Sequence, residues 1–328
     1  MSEGFWRHRK VLVTGATGMV GAWLVKRLLR RSASVVALVR DMDPRSELLR
    51  SGDADRITVV NGRLESFADV ERAVNEHGSE VVVHLGAQTT VGAARRAPVP
   101  TFESNVRGTW HVLEACRRHP ELVDAVVVAS SDKAYGASEE LPYTEDAPLS
   151  GSRPYEVSKS CADLLARTYH VTYGVPVAVA RCGNIFGGGD LNWSRLVPGT
   201  IRSLLRGERP VIRSDGTYVR DYLYVEDAVD AYLELARAVV EGEAAGDAFN
   251  FSDENPLSVL EMVDRIRERM DAGDLEPRVL DEAEGEIEAQ YLSAARARER
   301  LGWSPAHGLD RGLDETIAWY RELLSEGT

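Results

Sequence analysis

Tyr155 and Lys159 stand four residues apart in Tyr155-Glu156-Val157-Ser158-Lys159, so on a helix both project from one face. A free phenol has a pKa near ~10, too high for a base at neutral pH, and an adjacent ammonium lowers it by stabilising the phenolate. Such a pair takes the proton of a hydroxyl while hydride leaves the same carbon. A second pair, Asp132-Lys133, follows Ser131 at the end of the apolar run 125–129. The chain has only four lysines beside thirty-five arginines, and two of the four are Lys133 and Lys159. Arginine stays protonated at any working pH, whereas a desolvated lysine gives up its proton. A lysine kept in this background therefore suits acid–base chemistry.

The hydride needs an acceptor, and the amino-terminal segment supplies a place for one. Val11-Leu12-Val13-Thr14-Gly15-Ala16-Thr17-Gly18-Met19-Val20-Gly21 reads as a strand, a glycine-spaced turn and a helix. Gly15 permits the tight turn, Gly18 admits a pyrophosphate to the helix N-terminus, and Gly21 lets helix and strand pack closely. Leu38-Val39-Arg40-Asp41 ends the second apolar run. An acidic residue there grips a ribose 2′-hydroxyl and an arginine accepts a 2′-phosphate. Arg40 leans the cofactor toward NADP and Asp41 keeps NAD open. His84, in His84-Leu85-Gly86-Ala87-Gln88, reads as a packed strand histidine at the cofactor edge.

The elements that must hold these residues follow from hydrophobic periodicity. Strands are predicted at 10–14, 34–39, 57–60, 80–85, 125–129 and 176–181, separated by helices at 19–31, 67–77, 101–119 and 155–173. Runs apolar throughout and separated by helices imply a parallel sheet buried on both faces. The fold class is α/β: a doubly wound parallel sheet (Rossmann) over 1–181 and a smaller mixed α/β substrate-binding lobe over 182–328. The ligand is expected at the carboxyl ends of the strands. Gly187-Gly188-Gly189-Asp190 reads as a loop, 248–251 as a strand returning to the main sheet, and 226–240, 258–270, 294–301 and 312–324 as helices of the second half. The stripes Val106, Trp110, Leu113 and Leu164, Leu165, Thr168 read as packing faces.

A net charge of −13 argues against a nucleic-acid partner, which requires a basic footprint. The acidic stretch Asp281-Glu282-Ala283-Glu284-Gly285-Glu286 reads as a solvated loop, with a place at the substrate rim as the alternative. Cys116, Cys161 and Cys182 lack any CxxC spacing and read as free thiols of a reducing compartment, with no metal site. No signal-peptide pattern and no membrane-length apolar run is present. A cytoplasmic enzyme is expected.

The glycine turn, the strand-end serine and the Tyr155/Lys159 pair together resemble the extended short-chain dehydrogenase/reductases that act on nucleotide sugars, the NAD-dependent epimerase/dehydratase family, over nearly the whole chain. Gly86-Ala87-Gln88, Ser131-Asp132-Lys133, Gly183-Asn184-Ile185-Phe186-Gly187-Gly188-Gly189-Asp190 and Glu288-Ala289-Gln290-Tyr291-Leu292 are most similar to CDP-glucose 4,6-dehydratases. Arg220-Asp221-Tyr222-Leu223-Tyr224-Val225-Glu226-Asp227 is closer to dTDP-glucose dehydratases and 4-epimerases, and Arg40 departs from an NAD-type strand end.

The resemblance implies a nucleotide-sugar substrate and an NAD(P)+ cofactor, with the family leaning to NAD. It implies cofactor contacts from Gly15, Thr17, Gly18, Met19, Val20, Gly21, Arg40, Asp41, Leu64, Leu85, Gly86, Ala87, Tyr155 and Lys159. Substrate contacts are implied for Gln88, Ser131, Asn184, Arg220 and Tyr291. In the dehydratases the positions matching Asp132 and Lys133 serve as acid and base, which requires Asp132 protonated and Lys133 neutral; an ordinary Asp132–Lys133 salt bridge is the structural alternative. A homodimer through two helices is implied as well. A 4-epimerase would use the same Ser131, Tyr155 and Lys159 without need of Asp132-Lys133, and a dinucleotide-binding sensor would turn over nothing.

Overall fold

A computed structural model of the chain describes residues 4–282 and 286–325. Its strands in chain order are β1 (Lys10–Thr14), β2 (Ser34–Val39), β3 (Thr58–Asn61), β4 (Val81–His84), β5 (Ala125–Ala129), β6 (Val177–Cys182), β7 (Asn184–Phe186), β8 (Val211–Ile212), β9 (Val219–Tyr224), β10 (Ala248–Phe251), β11 (Pro256–Ser258), β12 (Arg278–Val279) and β13 (Ala289–Gln290). The α-helices are α1 (Met19–Arg30), α2 (Glu47–Arg50), α3 (Phe67–Asn75), α4 (Val91–Arg96), α5 (Pro98–Phe102), α6 (Gly108–Arg118), α7 (Pro154–Tyr173), α8 (Leu196–Leu205), α9 (Val225–Val240), α10 (Val259–Arg269), α11 (Ala295–Leu301) and α12 (Gly308–Ser325).

Seven strands form one parallel sheet in the order β10-β6-β5-β4-β1-β2-β3. Successive side chains of a strand face opposite sides, and here both sides are apolar. Val11, Val13, Val81 and Val83 pack with Leu24 and Leu28 of α1 and Leu233 of α9. Leu12, Val82, Val126 and Val128 pack with Val70 of α3, Val112 of α6 and Ala162 of α7. This is the doubly wound arrangement expected, and the chain order reverses beside β1, where β4 lies on its other side from β2. The crevice for a ligand opens at such a switch point.

The second half of the chain contributes more to this sheet than its order suggests. The returning strand at 248–251 is β10, paired with β6. The helix predicted over 226–240 covers the large sheet rather than the small lobe. Ala228, Ala231, Leu235 and Ala238 of α9 are wholly buried, because this helix is enclosed on nearly all sides.

The helix predicted over 101–119 begins earlier, at Pro98 in α5. Its middle, Glu103–Arg107, winds as a π-helix before α6. Proline suits the first helical position because its missing N–H has no partner there. A π turn inserts one residue and redirects side chains, often at a site. Here it carries the buried Asn105, which accepts from Gln88 N (2.7 Å) and donates to Gln88 O (3.0 Å) and Ser158 Oγ (2.9 Å).

The small lobe is built on β9, flanked by β7, β11 and β13, with a core of Phe186, Ile201, Tyr222, Met262, Leu313 and Tyr320. β6 passes into β7 through Gly183, so large and small sheets meet at the carboxyl edge. The lobe is tied down across the predicted glycine loop. Trp23 Nε1 donates to Gly188 O (2.7 Å), and Trp319 Nε1 donates to the buried Glu47 carboxylate (2.7 Å). Any Cβ on Gly188 would stand 2.4 Å from the Trp319 ring. Cys116 and Cys182 are buried and Cys161 half-buried, all three unbridged. No helix among the described residues is long and apolar enough to cross a membrane.

One buried ion pair joins α7 to β6: Arg181 meets both oxygens of Asp163 at 2.7 and 2.9 Å, each side chain 7% exposed. Removing one partner of such a pair strands the other charge. Asp163→Ala should lower unfolding free energy in urea by ~3–5 kcal/mol. A loss under ~1 kcal/mol would mean that Tyr135 Oη and Glu145 O, which Arg181 also contacts, already satisfy the guanidinium.

Candidate active site

The turn from β1 to α1 has no room for side chains. Gly15 has φ +74°, and a Cβ on it would stand 2.8 Å from Gly86 N; a Cβ on Gly21 would stand 2.1 Å from Gly15 O. Gly18 caps α1 with no side-chain hydrogen bond, and the first turn holds no acidic residue. Its free N–H groups and positive dipole end are left for an anion. Thr14 Oγ1 accepts from Gly86 N (3.1 Å) and meets His84 Nδ1 (2.7 Å), while His84 Nε2 meets Thr109 Oγ1 (3.1 Å). His84 is thus the packed histidine expected, with burial, then the Lys159 charge, pushing it down to about 3. It ties the ends of β1 and β4 together.

These residues open on a single cavity of about 1510 Å³ at the carboxyl edge of the sheet. Gly15, Thr17, Gly18, Met19, Val20 and Gly21 line one end. Arg40, Asp41, Leu64, Leu85, Gly86 and Ala87 line it too. The bare glycine turn, the uncapped helix end and a cleft of this size fit a dinucleotide. At the rim Arg40 Nε donates to Asp41 Oδ2 (2.5 Å), and both side chains are largely exposed.

Ser131, Asp132, Lys133, Tyr155 and Lys159 line the same cavity. Pro154 starts α7, and Glu156 reaches back to the N–H of Ser152 (3.0 Å) and Arg153 (3.2 Å). The helix start therefore fixes Tyr155 next to the strand end that carries Ser131. Lys159 donates to Ala129 O (2.7 Å), and burial pushes its amine down to about 8.

The phenol departs from expectation. Burial pushes Tyr155 up to about 12, against the opposing pull of Arg195 and a hydrogen bond to Ser131. Lys159, pushed down only to about 8, is still largely protonated at neutral pH.

Asp132 and Lys133 form no ion pair among the described residues. Asp132 Oδ1 accepts from Ser131 Oγ (2.7 Å), while its buried Oδ2 has no donor. Lys133 donates to Gln290 Oε1, and burial pushes its amine down.

Arg220 and Asn184 also line the cavity. The Asn184 amide nitrogen is buried without a partner, as a group awaiting a ligand would be. Arg220 pairs with neither Asp221 nor Glu226. It donates to Val219 O (2.8 Å) and Glu288 O (3.2 Å) and lies 3.6 Å from the Glu286 carboxylate. Glu286 lines the cavity, so the acidic stretch does reach the rim; its residues 283–285 lie outside those described.

Two predicted substrate residues are not on the cavity wall. The Gln88 side chain turns back to accept from Thr90 N (3.0 Å), leaving Ala87, Thr89 and Thr90 on the wall. Tyr291 follows β13 and meets Tyr143 through its main chain (3.0 Å). Strand alternation sends its neighbour Gln290 toward Lys133 instead.

Three polar residues of the site had no spacing to reveal them: Gln290, Arg195 and Asp221. Arg195 lines the cavity, held by Asp190 (2.9 Å) and Thr89 Oγ1 (3.0 Å). Asp221 accepts from Ser252 Oγ and Leu292 N, its Oδ1 has no donor, and burial pushes it up to about 7. Asp221 and Gln290, each inside a quoted motif, could have been singled out from sequence; Arg195 could not.

Residues 11–251 match the NAD dependent epimerase/dehydratase family. The chain is 31% identical to a CDP-glucose 4,6-dehydratase of Salmonella typhimurium, covering 99% of this chain and 94% of that one. The fold is similar to a dTDP-glucose 4,6-dehydratase of Streptomyces venezuelae solved with NAD bound, at TM-score 0.86 and 28% identity over 95% of this chain and 97% of that one. It is similar also to a UDP-glucose 4-epimerase of Thermotoga maritima solved with UDP-glucose, at TM-score 0.87 and 26% identity over 96% and 99%.

Lys159 is a cationic group held where its neutral form is favoured, which costs stability. The folded chain binds fewer protons than the unfolded chain between about 8 and the ordinary lysine value of 10.5, so stability rises with pH across that window. Below it the whole penalty is present. Lys159→Met should therefore be more stable than the parent at pH 7 by ~2–3 kcal/mol. Urea unfolding should show the gap closing as pH rises above about 8. A destabilised variant would show that the bond to Ala129 O outweighs the desolvation.

Proposed function

The chain belongs to the NAD-dependent epimerase/dehydratase family, and from that premise we propose that it is a nucleotide-sugar 4,6-dehydratase, with CDP-glucose the first substrate to try. The observation that carries this reading is the separation of Asp132 from Lys133 inside the cavity that holds Tyr155 and Lys159. An acid with a donor-free oxygen and an amine that burial pushes toward neutrality, against the Asp132 charge, stand beside the oxidation site with no ion pair between them. A 4-epimerase has no use for such a pair.

The glycine turn of Gly15, Gly18 and Gly21 would hold a nicotinamide cofactor, which would supply a hydride acceptor for C4 and a hydride donor for C6. As the phenolate that a protonated Lys159 favours, Tyr155 takes the C4 hydroxyl proton, with Ser131 holding the same oxygen. Oxidation at C4 acidifies the C5 proton, which Lys133 removes. Asp132 gives its proton to the C6 hydroxyl, which leaves as water. C5 is reprotonated as C6 is reduced, and the 4-keto-6-deoxy sugar departs with no net consumption of cofactor. Asn184 and Arg220 contact the sugar and the diphosphate, the arginine through its planar fork. The small lobe thus holds the substrate end and the large sheet the cofactor end.

The cofactor we propose is NAD. Asp41 pairs with Arg40 at the rim, so a carboxylate already engages the guanidinium that a 2′-phosphate would need. The assembly we propose is a homodimer through α6 and α7. Trp110, Leu164, Val171 and Tyr173 are 38%, 53%, 74% and 55% exposed on adjacent helices, an apolar face that water would otherwise meet.

The test of function is incubation with CDP-, dTDP-, UDP- and GDP-hexoses and NAD in heavy water, read by mass spectrometry. Loss of water with one deuteron at C5 is expected, and Lys133→Met should oxidise C4 slowly while losing C5 exchange by at least ~100-fold. Inversion at C4 without deuterium would establish an epimerase instead. For the assembly, sedimentation should give a dimer that Leu164→Glu converts to monomer; a monomeric parent protein would refute the proposed interface.

A further inference from the structure

Lys133 lies half-buried on the tight turn Asp132–Tyr135 that follows β5, where it lines the cavity. The charged groups that face it come from several elements. They are Asp132 on its own turn, Arg220 on β9, Glu286 ahead of β13, and Glu156 in the first turn of α7. Among the described residues none of the three carboxylates forms an ion pair with the amine. The acceptor it meets is the uncharged Oε1 of Gln290.

Gln290 is 0% exposed and sits on β13, opposite Arg220 of β9. Its Nε2 donates to the main-chain oxygen of Asp132 at 3.0 Å. One side chain from the far end of the chain therefore grips two consecutive residues, the amine of one and the carbonyl of the other. A carboxamide does both, its oxygen accepting and its nitrogen donating, whereas a carboxylate cannot donate and an ammonium cannot accept. The charge of the acceptor matters as much as its position. An anion against a buried amine favours the ammonium, which has no lone pair to take a proton, while a neutral carbonyl leaves the lone pair free.

We propose that Gln290 is a positioning residue for Lys133: its buried carboxamide ties the amine to the Asp132 turn and gives it a neutral acceptor where a carboxylate would hold it as an ammonium. The inference rests on Lys133 being the C5 base, and it assigns to the small lobe a share in setting that base. β13 joins β9 only when the small lobe is folded, so the amine is oriented by the same strands that carry Arg220 to the substrate.

With only four lysines in the chain, carbon-13 labelling at lysine Cε reads the Lys133 titration directly by NMR, assigned by its absence in Lys133→Met. Gln290→Glu should raise the Lys133 midpoint by about one to two pH units. The acidic limb of C5 deuterium exchange should move upward with it. Gln290→Met, similar in length and without polar atoms, should lower the midpoint. It should also slow C5 exchange by ~10–100-fold while KM and NAD affinity change less than ~3-fold.

A Lys133 midpoint in folded Gln290→Glu within about 0.3 unit of the parent would overturn the proposal, because a merely structural glutamine would not move it. If that variant does not fold, Gln290→Met decides: an unchanged midpoint with unchanged exchange overturns it equally. Failure of the base assignment is separate. Should the midpoint respond as expected while Lys133→Met exchanges C5 at the parent rate, the hold of Gln290 on the amine stands and the base lies elsewhere.

Discussion

Desolvation at the carboxyl edge of the large sheet sets the terms for the rest of the molecule. Tyr155 is pushed up to about 12 and Lys159 down to about 8 for the same reason, that neither charged form is well solvated there. In water a phenol and an amine are ordinary spectators at neutral pH. Burial moves them apart, leaving the phenol neutral and bringing the amine close enough to neutral pH that a small change in the field decides where a proton goes. A site of this kind must be enclosed before it is reactive, which makes the second lobe part of the chemistry.

The enclosure is built from close contacts that leave little slack. Gly15 lies against Gly86, Gly21 against Gly15, and Gly188 against the Trp319 ring, each at distances a Cβ would violate. Thr14, His84 and Thr109 link the ends of β1 and β4 to the helix carrying Asn105. Asn105 in turn holds Gln88 and Ser158, the latter one residue before Lys159. Cofactor cradle and catalytic helix are thereby braced by one hydrogen-bonded chain. Its key turn is the π-helical insertion, without which Asn105 would face elsewhere.

The small lobe adds the polar groups that distinguish reactions. β9 delivers Arg220 and Asp221 side by side, and alternation sends them to different places: Arg220 to the cavity, Asp221 inward to Ser252 and Leu292. Asp221 and Asp132 each keep one buried oxygen without a donor, and the Asp132 charge adds to the burial that pushes Asp221 up.

Much of this was legible in one dimension, because its causes are local. The strand–turn–helix of Gly15, Gly18 and Gly21, the four-residue spacing of Tyr155 and Lys159, and the rarity of lysine are properties of short segments. Apolar runs sufficed to predict a parallel sheet covered on both faces, down to the returning strand at 248–251. Gln88 and Tyr291 do not line the cavity for a reason equally plain: a motif names a stretch of chain, and strand and turn geometry decide which of its side chains faces in. The tertiary structure alone decided that α9 covers the large sheet and that Asp132 and Lys133 are kept apart. It alone brought Gln290 to Lys133 across 157 residues. Local spacing determines which groups are available; their protonation and direction depend on burial and on neighbours brought from far along the chain, which only the closed fold supplies.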